Sequence, residues 1–111
     1  EKLMGRTDDM IILRGVKVFP SQIEEQVLTL PGLSPHFQLE LTREGRLEGM
    51  RVWVETAHIA SEDSRATQGR TLQKRIKQML GITVAVQVGQ PGEVARSQGK
   101  AVRIIDNRPK Q

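Results

Sequence analysis

Cysteine is absent from the 111 residues, so neither a disulfide framework nor a thiolate metal site can form. Only two histidines are present, His36 and His58, too few and too far apart for a zinc site. Aromatic residues are limited to Phe19, Phe37 and Trp53. Three rings offer little for stacking successive bases, which weighs against single-stranded nucleic acid as a partner. No apolar run approaches the roughly 20 residues of a membrane span, and no signal-peptide pattern opens the chain. A soluble cytoplasmic protein is the expectation.

What is present is unevenly charged. The formal net charge is +4, yet residues 1–64 hold 7 Lys/Arg against 11 Asp/Glu, net −4. Residues 65–111 hold 10 against 2, net +8. A basic C-terminal half fits an anionic partner such as nucleic acid, a phosphate-rich cofactor or an acidic surface, or else a solvated helix face. The length suits one domain with a modest core.

The apolar pattern orders the chain. Met10–Leu13 and Val16–Phe19 read as short strands around Arg14-Gly15, a tight hairpin or a bulged bend. Ser21-Gln22-Ile23-Glu24 has the form of a capping box. Ile23, Val27 and Leu30 continue at helical spacing until Pro31-Gly32 stops the helix. Phe37, Leu39 and Leu41 alternate with polar residues, Arg43 to Arg46 turn the chain, and Met50, Val52 and Val54 return it. Trp53 falls on the polar phase of that strand, which implies a second covered face or a surface ring awaiting a partner, the first being commoner.

A longer helix is expected from about Asp63 to Leu80. Leu72, Ile76, Met79 and Leu80 form its buried stripe, Arg70, Lys74, Arg75 and Lys77 ride outside, and Gly81 closes it. Gly69 inside it costs about 1 kcal/mol relative to alanine, so the first turns are expected to fray. Val84, Val86 and Val88 give a third alternating strand. The sum is an α+β fold: a small antiparallel sheet with two helices packed on one face, preceded by a short β-hairpin. From Gly89 to Lys100 the composition is that of a polar loop, long enough in so small a domain to be functional. The glycine spacing there does not fit a phosphate-cradling P-loop.

Two stretches carry a resemblance. "GRTDDMIILRGVKVFPSQIEE", residues 5–25, resembles the segment joining the large and small domains of the adenylate-forming (acyl-CoA synthetase) superfamily. "RSQGKAVRIID", near the other end, resembles that superfamily's C-terminal lysine loop. "RGVKVFPSQIEE" together with "RSQGKAVRIIDNR" is particularly similar to its phenylacetate–CoA ligase branch. Ala95 stands where that pattern places proline, which implies a looser loop with the same lysine chemistry.

The resemblance implies that residues 1–111 are one domain, the mobile C-terminal lid of an acid–CoA ligase, with a large N-terminal ATP- and acid-binding domain absent. It implies a hinge near residues 8–9, at Asp8, and a catalytic lysine, Lys100, in a loop over 89–101. It further implies that Arg6 contacts ATP phosphates and that Gly15 lines the tunnel for the pantetheine arm of CoA. ATP/AMP, CoA and Mg2+ are the implied cofactors, bound mainly with the missing domain, and no metal ligand is assigned in this chain. The implied partners are the N-terminal adenylation domain and an aryl acid, with no nucleic acid and no membrane; a homodimer of the full-length protein stays open. The reaction implied is phenylacetate, ATP and CoA to phenylacetyl-CoA, AMP and pyrophosphate through an acyl-adenylate, with rotation between half-reactions. The isolated domain is expected to be inactive. Two alternatives stand beside this: a basic α+β module binding nucleic acid or another polyanion, and an adenylate-former with a different acid or acceptor.

Overall fold

The Arg14-Gly15 dipeptide makes a two-residue turn between β1 (Ile11–Leu13) and β2 (Val16–Val18), with Leu13 paired to Val16. Both turn residues have positive φ, 52° and 77°. That backbone suits the twist of a tight hairpin, and it decides between the hairpin and the bulged bend. The computed structural model of the chain describes residues 10–94 and 104–108. Ile11, Leu13 and Val18 turn inward to the core, while Ile12 and Lys17 face out.

Helix α1 spans Pro20–Leu28, so it begins earlier than the Ser21–Glu24 pattern predicts. Pro20 is the cause: its fixed φ suits the first helical position, where no amide bond is lost. Phe19 becomes the N-cap residue, and the Gln22 side chain, rather than Glu24, accepts its N–H at 2.9 Å. Thr29 ends the helix, its hydroxyl donating to the Gln26 carbonyl at 2.7 Å. Ile23 and Val27 are the buried stripe.

Strands β3 (Leu33–Glu44) and β4 (Leu47–Thr56) form the long antiparallel pair, joined at Gly45-Arg46. A register irregularity between Leu33 and Phe37 accommodates Pro35, which has no N–H to donate to a ladder. Helix α2 (Glu62–Leu80) follows, with the Ser61 hydroxyl accepting the Ser64 N–H at 3.1 Å and Gly81 closing it at φ 83°. Then come β5 (Ala85–Gly89) and β6 (Ile104–Asp106).

The four-stranded sheet has the order β5-β4-β3-β6, and it is mixed rather than antiparallel. Strand β5 runs parallel to β4, and β6 parallel to β3. For β5 the reason lies in α2: its 19 residues rise about 28 Å and carry the chain back to the starting end of β4. Phe37, Leu39, Leu41, Met50, Val52, Val54 and Val88 line the inner face, where both helices pack. Gly69 is buried there. A Cβ on it would stand 3.3 Å from Val88 Cγ2, so this glycine lets the helix approach the sheet. Helix α2 is continuous through that position from Glu62, without the fraying its composition predicts.

Candidate functional site

Of the four residues singled out from the sequence, Gly15 lies among the described residues. Arg6, Asp8 and Lys100 lie outside them. Gly15 sits at the tip of the first hairpin, and a Cβ built there meets no atom of the described residues within 4 Å. What favours glycine at this position among the described residues is its backbone shape, φ 77°, rather than crowding.

Arg14 holds the more costly conformation, since a left-handed φ disfavours any residue with a Cβ. Glu48, near the start of β4, holds it there. The Arg14 N–H donates to Glu48 Oε1 at 3.1 Å, and Arg14 Nε donates to the Glu48 carbonyl at 2.6 Å. The second carboxylate oxygen, Oε2, accepts from Arg108 at 3.1 Å. Arg108 in turn donates to both oxygens of Asp106, at 2.9 and 2.8 Å. The Arg14 N–H, with Arg108 behind it, holds the Glu48 carboxyl below the usual carboxylate range. Hydrogen bonding to Asp106 pushes the Arg108 guanidinium up.

At the opposite end of β4 lies a buried carboxylate that sequence reasoning missed. Glu55 is on the outward phase of the strand yet is 1% exposed. Its Oε1 accepts the Val94 N–H at 3.1 Å and its Oε2 accepts the Ser34 hydroxyl at 3.3 Å. Gln90 adds a second tie, exchanging two hydrogen bonds with the backbone of Ala60 at 3.1 and 2.8 Å. Strand β5 therefore continues through Gly89, and the polar stretch is held in place as far as Val94. Nothing in the local sequence marks it, because the outward phase of a strand is where a solvated carboxylate is expected.

Among the described residues no helix covers the outer face of the sheet at Trp53, unlike the commoner expectation of a second buried layer. The ring is half-buried, with the Arg51 guanidinium carbon 5.5 Å from its centroid. Its indole N–H donates to Glu40 Oε1 at 3.1 Å. Asn107 bonds the other oxygen at 2.9 Å, and these two donors, Asn107 first, hold the Glu40 carboxyl low. Of the basic residues expected outside α2, Arg70 lines a groove of about 360 Å³ between α2 and β5, together with Arg65, Glu62 and Gln73. Lys74, Arg75 and Lys77 are exposed elsewhere on the helix.

Residues 15–108 match the family described as the AMP-binding enzyme C-terminal domain. Over 111 aligned residues, 97% of the chain, 42% are identical to the phenylacetate-coenzyme A ligase of Escherichia coli (strain K12), of which 25% is covered. The chain spans about a quarter of the length of the curated relatives it matches. A solved domain of phenylacetate-coenzyme A ligase from Bacteroides vulgatus has the same fold, with TM-score 0.81, 28% identity, and 95% and 98% of the two chains covered. A 2-hydroxyisobutyryl-CoA ligase, solved with 2-HIB-AMP and CoA in the thioesterification state, gives TM-score 0.80 at 30% identity, covering 94% of this chain and 22% of that one.

Proposed function

Because the chain belongs to the AMP-binding enzyme C-terminal domain family, we propose that it is the mobile lid of an AMP-forming acid–CoA ligase whose acid is phenylacetate. The observation that carries this is the correspondence along 97% of the chain to a phenylacetate-coenzyme A ligase, on the fold of a solved domain of such a ligase. The polyanion-binding alternative is not favoured, since the family match takes in most of the basic half.

In this reading a larger N-terminal domain binds ATP, with its magnesium, and the aryl acid. The carboxylate attacks the α-phosphorus, pyrophosphate leaves, and an acyl-adenylate remains. The lid then pivots at Asp8. The CoA thiol loses its proton, its sulfur bonds the acyl carbon, and AMP leaves with the electron pair of the broken C–O bond. Lys100 serves the first step: an ammonium between carboxylate and phosphate reduces their repulsion and stabilises charge developing at phosphorus. Arg6 contacts the ATP phosphates in the same setting. Gly15 serves the second step, its bare backbone giving the pantetheine arm room to pass. With ATP and CoA as substrates, the compartment is the cytoplasm.

The test uses the full-length ligase with Lys100→Ala. Pyrophosphate release from ATP and phenylacetate should fall by about 100-fold or more, the scale of losing one charge-stabilising group. Thioester formation from supplied phenylacetyl-adenylate should persist. Equal loss of both half-reactions rejects the role.

A further inference from the structure

We propose that Glu48 is a positioning residue for thioester formation, acting by holding the Arg14-Gly15 turn in place. This rests on the ligase reading above, in which Gly15 lines the path of the CoA arm. Three observations carry it. Arg14 is the non-glycine residue with positive φ among the described residues, so the turn needs an external hold. Glu48 supplies that hold through two separate contacts, one from its carboxylate to the Arg14 N–H and one from its carbonyl to Arg14 Nε. The remaining carboxylate oxygen is engaged by Arg108, which Asp106 orients in turn. The turn is thereby fastened to β4 and to the chain just after β6.

The physical need is clear from the hairpin's construction. Strands β1 and β2 pair with each other and are not part of the four-stranded sheet, so no ladder bonds of that sheet hold their turn. Among the described residues the space beside Gly15 is open. A thiol carried on a flexible arm reaches an acyl carbon efficiently only when the wall of its path is fixed, because small misplacements are costly in rate. Glu48 touches neither CoA nor adenylate in this account. Its effect passes through the backbone of Arg14 and Gly15.

The experiment compares full-length wild-type ligase with Glu48→Ala, which removes the acceptor of the Arg14 N–H that glutamine would keep, measuring the two half-reactions separately. Pyrophosphate release should stay within about twofold, while the KM for CoA in thioester formation rises about tenfold, the scale of a slight misplacement at the reacting centre. Arg108→Met, which leaves the direct Arg14 contacts intact, should shift the KM for CoA in the same direction by a smaller factor. It also serves as the test should Glu48→Ala fail to fold. An unchanged KM for CoA, or a parallel loss of both half-reactions, overturns the proposal. A wild-type protein that makes no CoA thioester would instead remove the ligase reading on which it stands.

Discussion

Glu55 Oε1 lies 3.1 Å from the backbone nitrogen of Val94, joining the end of β4 to the last described residue before the segment that leads to Lys100. A carboxylate almost wholly removed from water is stable only when its oxygens find donors, and here they find the Val94 N–H and the Ser34 hydroxyl. The contact spans 39 residues of sequence and ties Val94 to the end of β4.

Glu55→Ala should therefore destabilise the chain by about 2–3 kcal/mol, since it strands buried donors as well as removing contacts. Denaturant unfolding of wild type and variant, read at the midpoint with unchanged slope, measures this. A loss under about 0.5 kcal/mol, the range of ordinary surface changes, would mean that Glu55 anchors nothing.

Gly69→Ala sets two effects against each other. Alanine improves helix propensity by about 1 kcal/mol. Its methyl, however, would stand 3.3 Å from Val88 Cγ2, and forcing extra volume into a packed interface costs about 1–3 kcal/mol. A net loss near 1 kcal/mol is expected. In a Val88→Ala background the same substitution should become neutral or stabilising, because the opposing methyl has gone. A double-mutant cycle reads the sign change, and additive effects would show that the close approach is not what selects glycine.

The carboxylates of Glu48 and Glu40 titrate below the ordinary 4.5 in the native state. Between the lowered native value and the unfolded one, the unfolded chain binds more protons, so stability rises with pH there. The contribution is complete above the unfolded value and is lost as pH falls through the native one. The stability gap between wild type and Glu48→Gln, followed from about pH 7 down to pH 3, should narrow on acidification. A gap that widens would contradict the Arg14 and Arg108 contacts as its source.

Much of the architecture could be read from local pattern. Alternation at Phe37–Leu41 and Met50–Val54, the helical stripe at Leu72 and Ile76, the stop at Gly81 and the turn at Arg14-Gly15 each depend on residues within a few positions of one another. The helix start at Pro20 was less legible, because a Ser-x-x-Glu pattern and a proline competed for the same turn and the proline's fixed backbone prevailed.

The sequence by itself thus determined the elements, the α+β class and the two terminal stretches that resemble the adenylate-forming enzymes. Those features are written in neighbouring residues. Tertiary structure alone decided that both sheet edges are parallel, that Trp53 is half-buried with no helix of the described residues over it, and that an outward-phase glutamate is buried. It also joined Glu48 to Arg14 and Arg108 across 34 and 60 residues. Such pairings depend on the path of the whole chain, and no short window of sequence records which distant groups that path brings within reach.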